Sequence, residues 1–134
     1  MYSKVFIVDS FSLDTMDVNC TVYKTVAFIS RKWSIIVLLD IYRGNKKAKR
    51  YSEIKESLLE ITPKVLSTRL KELEHEGLIS KKVDASQFPV KCEYSLTKSG
   101  MDFIGVIQSI KQWAIKWKPH QKACESENCR YCEL

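Results

Sequence analysis

Four residues near the end of the chain have the types and spacing of a metal site. In HQKACESENCRYCEL, His120, Cys124, Cys129 and Cys132 form the pattern H-x3-C-x4-C-x2-C. Imidazole and thiolate are soft donors, and four of them close a tetrahedral zinc shell. The Cys129–Cys132 pair has zinc-knuckle spacing, although the whole pattern is no familiar finger. C-x4-C-x2-C also suits an iron–sulfur loop that draws its fourth cysteine from elsewhere. Disulfides and free thiols are the other two readings. No cofactor is required by the pattern; zinc at the tail is the one to test for.

Two further cysteines have different settings. Cys20 stands just before the first expected helix, where the helix dipole favours a thiolate. Lys24 lies a turn away, while Asp17 opposes the charge. A reactive thiol and a plain packed or capping cysteine both fit. Cys92 falls on the inward phase of an expected strand and reads as core packing. The two histidines, His75 and His120, have no nucleophile at a motif spacing. With only four glycines there is no phosphate-cradling loop, so an enzyme is not expected.

A different chemistry is offered by ITPKVLSTRLKELEHEGLIS, residues 61–80. Thr62 suits an N-cap, Pro63 the first helical position, and Gly77 a left-handed C-terminal residue. Leu66, Leu70 and Leu73 recur at i, i+4 and i+7, so that face is buried. The opposite face carries Lys64, Ser67, Thr68, Lys71 and His75. Hydroxyls and cations at the N-terminal end of a helix meet phosphates and base edges. Glu72, Glu74 and Glu76 crowd the other end.

Charge is placed to match. The chain totals +6, residues 1–19 contribute −2 and residues 119–134 contribute −1, which leaves +9 on residues 20–118. A basic centre between acidic ends suits a polyanion. No apolar run approaches the roughly 18 residues of a membrane span, and no signal peptide is visible. A cytoplasmic protein with no membrane partner is expected.

The elements that position these residues follow from periodicity. Val22, Val26 and Ile29 form one helical stripe over 21–30, and WSIIVLLDIY is an apolar second helix ended by Gly44. NKKAKR reads as a basic loop. Ser52 is placed to cap a short third helix with Ile54 and Leu58 inward, and residues 62–76 form the fourth. The period then falls to 2. In VKCEYSL, Val90, Cys92, Tyr94 and Leu96 alternate with Lys91, Glu93 and Ser95, and LISKKVD is the partner strand. Thr97 caps a long last helix over about 98–117. There Phe103, Ile107, Ile110, Ala114 and Trp117 form one row, widened by Met101, Ile104, Val106 and Trp113. That apolar surface exceeds what one subunit buries, so dimerisation through it is expected.

Helices followed by a hairpin make a winged helix-turn-helix: an α+β fold, mostly α. It has a two-stranded β-hairpin wing and a long C-terminal dimerisation helix. The organisation is an N-terminal arm (1–19), a winged-helix domain (20–118) and a Cys-rich tail (119–134). Residues 62–76 become the recognition helix for a double-stranded DNA operator, entering the major groove. The candidate contacts are Thr62, Lys64, Ser67, Thr68, Arg69 and Lys71, with Arg69 pointing more sideways than Lys64. Lys81, Lys82 and Lys91 flank the wing, and Arg50 belongs to the basic loop. A winged helix used only for protein contacts is the alternative.

The chain also resembles the HxlR-type transcriptional regulators, relatives of the MarR superfamily. The resemblance rests on Cys20, KW at 32–33, RYSEI at 50–54, ITPKVLSTRLKELEHEGLI at 61–79 and EYSLTKSG at 93–100. The family's strings look like GGKW, RFxEL, ISxKxLTxxLKELExxGLI and VEYSLTxxG, and the match covers about residues 20–117. It implies a homodimeric DNA-binding regulator whose dimer uses the first and last helices. It places Lys64, Ser67, Thr68 and Arg69 on the recognition helix and Lys91 at a wing position that is often arginine. It also implies that Cys20 occupies a place used for redox sensing in some members. The departures are SRKW for GGKW, a longer and more basic stretch from Gly44 to Tyr51, and FP where PP is common.

Overall fold

These patterns become six helices and three strands in the computed structural model, which describes residues 19–86, 88–119, 122–126 and 128–130. The backbone divides into two units, residues 1–31 and 32–134. In the first, α1 (Thr21–Ile29) begins after Cys20 at the N-cap. Its Thr25 Oγ1 donates to the Thr21 carbonyl at 2.9 Å. Val22 and Val26 on the expected stripe stay 69% and 49% exposed.

The second unit holds the helix-turn-helix. Trp33 turns the chain with a left-handed φ of 84°, and α2 (Ser34–Tyr42) follows. Val37, Leu38 and Ile41 of α2 are buried. The expected basic loop is partly ordered: a 3-10 turn (Asn45–Lys47) leads into β1 (Ala48–Arg50). Lys49 from this stretch points inward and pairs with the buried Asp40 at 3.0 Å. The three-residue strand Ala48–Lys49–Arg50 has no usable alternation, which is why it reads as a loop.

The third helix, α3 (Tyr51–Ser57), starts two residues earlier than expected. Arg50, not Ser52, takes the cap position, and its backbone N–H donates to Glu53 Oε1 at 2.8 Å. Ile54 is buried as expected. Next, α4 (Pro63–His75) is capped by Thr62, whose hydroxyl oxygen accepts from Val65 N at 3.2 Å. Leu66, Leu70 and Leu73 are at most 2% exposed. Each contributes about 1.5–3 kcal/mol by leaving water, so this face fixes the helix and forces the polar face outward. Gly77 has a φ of +83°, which only a residue without Cβ adopts cheaply.

The hairpin is β2 (Ile79–Asp84) and β3 (Lys91–Leu96), with register from Ile79↔Leu96 to Asp84↔Lys91. β1 adds to its other edge, so the two-stranded wing is part of a three-stranded antiparallel sheet ordered β1-β3-β2. Tyr94 is buried, Cys92 and Leu96 are half-buried, and Val90 lies before the strand and is exposed.

Finally α5 (Lys98–Trp117) is tied to the base of the wing. Thr97 Oγ1 donates to the Gly77 carbonyl at 2.5 Å and accepts from Gly100 N at 3.0 Å. A Cβ on Gly100 would stand 2.1 Å from the Leu78 carbonyl oxygen, so only glycine permits this approach. Ile104 and Ile107 are buried, while Val106, Ile110, Trp113 and Trp117 are 46–64% exposed. The short α6 (Ala123–Ser126) follows. No described helix is long and apolar enough to cross a membrane.

Candidate nucleic-acid interface

The N-cap and the leucine row of α4 aim its outer face at solvent. Lys64, Thr68, Lys71 and His75 are exposed there, with Ser67 half-buried. Thr62 is also exposed, although its oxygen is engaged as the cap. The Thr68 hydroxyl donates to the Lys64 carbonyl at 2.9 Å and keeps acceptor capacity for an incoming donor.

Arg69 is placed differently from its neighbours. Its Nε donates to the Lys32 carbonyl at 2.8 Å, and a terminal nitrogen pairs with Glu72 at 3.1 Å. With its side chain 18% exposed, it ties α4 to the turn before α2. Those bonds suit it to positioning the helix.

The wing supplies the rest of the surface. Lys81 stands opposite Tyr94 and Lys82 opposite Glu93, so the two lysines point to opposite faces of the hairpin. Arg50, Lys71, Lys81 and Lys91 converge on a cleft of about 550 Å³ between α4, the start of α3 and the wing. Glu74 is the single carboxylate among its lining residues, against those four cations. Distant sequence segments thus form one positive concavity, which focuses field on a polyanion. Tyr51 and Ser52, at the start of α3, also line it. Sequence reasoning missed both, since β1, the strand that brings Arg50 here, carries no pattern.

Two titrating groups report on the wing. Asp84 has its carboxyl lowered below 3.8, first by the Ser86 hydroxyl and backbone N–H, then by Lys91 and Lys82. Ser86 Oγ and N lie 2.5 and 3.0 Å from Asp84 Oδ1. This ionised carboxylate therefore holds the turn that leads to the tip. Burial raises the Tyr94 phenol above 10.0, with Cys92, Glu74 and Tyr51 adding to the rise.

The cysteines are dispersed. Cys20 is exposed at the start of α1, with no cap hydrogen bond from its side chain. Cys92 is half-buried beside the cleft rather than fully in the core. Cys124 and Cys129 are half-buried and free, while His120 and Cys132 lie outside the described residues. Among the described residues no group of three or more His, Cys, Asp or Glu is placed to hold a metal. The tail docks on the end of α2. Arg43 Nε donates to the Cys129 carbonyl at 3.0 Å, and Arg130 donates to the Tyr42 carbonyl while lying 5.7 Å from its ring.

Comparison with known proteins decides the lineage. The family model described as HxlR-like helix-turn-helix matches residues 28–122. The chain belongs to the HxlR-like helix-turn-helix family. This HxlR-family chain is 36% identical over 94 residues to the HTH-type transcriptional regulator YvaP of Bacillus subtilis, a match covering 70% of this chain and 83% of YvaP. Among solved structures it resembles the reduced form of the transcriptional regulator YodB from B. subtilis. The TM-score there is 0.64 at 29% identity, covering 73% of this chain and 93% of YodB. It also resembles the redox regulator HypR in its oxidized form, with a TM-score of 0.60 at 30% identity, covering 75% of this chain and all of HypR. These relatives carry the names of regulators, not enzymes.

Proposed function

We propose that this HxlR-family protein is a homodimeric transcriptional regulator that binds a double-stranded DNA operator. α4 enters the major groove with Lys64, Ser67, Thr68 and Lys71 foremost, and the β2–β3 wing lies on the adjacent backbone or minor groove. The observation that carries this reading is the convergence of Arg50, Lys71, Lys81 and Lys91 beside the polar face of α4. A second copy covers the exposed row Val106, Ile110, Trp113 and Trp117 on α5. The resemblance adds the first helix, whose Val22 and Val26 are also exposed. The experiment is footprinting on the DNA upstream of the protein's own coding sequence. A protected segment with two halves about one helical turn apart, roughly 34 Å, is expected. Affinity no better than millimolar in low salt would favour the protein-contact alternative.

A second reading concerns control. YodB and HypR were each solved in a named redox state, and Cys20 is exposed at a helix start. On this reading, oxidation of Cys20 alters the dimer and hence the spacing of the two recognition helices. Comparing operator affinity of wild type and Cys20→Ser, with reductant and with peroxide, tests it. An equal response in both proteins would remove Cys20 from the mechanism.

A further inference from the structure

The wing ends in an apolar tip that the reading above does not use. Phe88 is 98% exposed, and Val83 and Val90 at the same end of the hairpin are 53% and 52% exposed. A single exposed apolar residue is ordinary, but three at one hairpin end, one of them a fully presented phenyl ring, form a concentrated apolar point. Cations flank it: Lys82 lies next to Val83, and Lys91 follows Val90. Lys91 also stands opposite Asp84, the carboxylate at this end.

We propose that Phe88 is a wedge that enters the DNA minor groove and partly unstacks a base step, with Lys82 and Lys91 on the flanking phosphates. The inference rests on the DNA-binding reading and adds to it. An apolar side chain pushed between base pairs bends the duplex toward the major groove, and the bend brings more of the backbone onto the protein. The flanking cations suit phosphates on either side of the narrow groove. Phe88 then contributes specificity without a base-edge hydrogen bond. Pyrimidine–purine steps unstack most easily and are preferred under the wing, and stiff A-tracts are disfavoured. A protein surface could also receive an exposed phenyl ring, but the lysines on both sides favour the polyanion.

The test uses the full chain and the footprinted duplex, probed with permanganate for unstacked thymines. Wild type should make a thymine beside the wing hyper-reactive. Phe88→Ala should fold normally. It should lose the hyper-reactivity and bind roughly 5- to 150-fold more weakly. Phe88→Leu should keep part of both effects, since leucine also serves as a wedge. Unchanged affinity and reactivity in Phe88→Ala would overturn the proposal and leave the ring to a protein contact. A wild type that protects no DNA would overturn the DNA-binding reading itself, and the wedge with it.

Discussion

Arg69 and Lys71 are two residues apart on α4, carry the same charge, and should fail in opposite ways. Arg69→Ala removes the bond from Nε to the Lys32 carbonyl and the contact with Glu72. A hydrogen bond from a charged donor is worth about 1.5–3 kcal/mol. The i,i+3 ion pair is partly exposed and adds only about 0.2–0.5 kcal/mol. The expected loss is about 2–3 kcal/mol, which lowers Tm by on the order of 10 °C for a domain of this size. Lys71 is exposed beside the cleft. Lys71→Ala should leave Tm within a degree or two and reduce the salt slope of DNA binding by about two, one for each protomer of the dimer. The assay pairs thermal melting at fixed protomer concentration with fluorescence anisotropy across a salt series. If Arg69→Ala melts like wild type and flattens the salt slope, Arg69 is a phosphate contact and the positioning argument is wrong.

Ile110→Asp or Trp113→Asp should yield monomers or insoluble protein, because a carboxylate would be buried in an apolar contact. An unchanged sedimentation coefficient would exclude α5 as the interface. Lys64→Ala or Thr68→Ala should cut discrimination between operator and random DNA by about 1–3 kcal/mol if a base contact is lost, as competition binding will read. Tyr94 is held neutral with its pKa raised above 10.0. The stability it contributes is complete below pH 10 and is lost as pH rises through the folded-state value. Tyr94→Phe should remove that part of the alkaline loss in denaturant titrations. Zinc in the tail would make operator affinity or Tm sensitive to chelator, and truncation after Lys118 should abolish that response.

How far the sequence reaches depends on which signal each element carries. α4 was legible in full, because a side-chain cap, a first-turn proline, a leucine row and a terminal glycine agree with one another. The hairpin was legible from its period of two. β1 was not, because a three-residue strand with two basic residues is fixed by pairing with β3 and by the Lys49–Asp40 ion pair. Both partners are remote in sequence or unmarked by pattern. The candidate site shows the same division. Lys64, Ser67, Thr68 and Lys71 follow from helical geometry alone. The bond from Arg69 to the Lys32 carbonyl is invisible to the sequence, because its partner is a backbone atom that no pattern marks. Arg50 lines the cleft as the last residue of β1 and the cap of α3, not as part of the expected basic loop.

The central claim is that Arg50, Lys71, Lys81 and Lys91 form one phosphate-binding surface with α4. The direct measurement is the dependence of operator affinity on salt for wild type and for the protein with all four changed to alanine. Each neutralised phosphate contributes about 0.9 to the slope of log affinity against log salt. The fourfold variant should keep its fold and dimeric state while its slope falls by roughly seven, because each of the two protomers loses four contacts. A slope equal to that of wild type, in a variant that is folded and dimeric, would contradict the account.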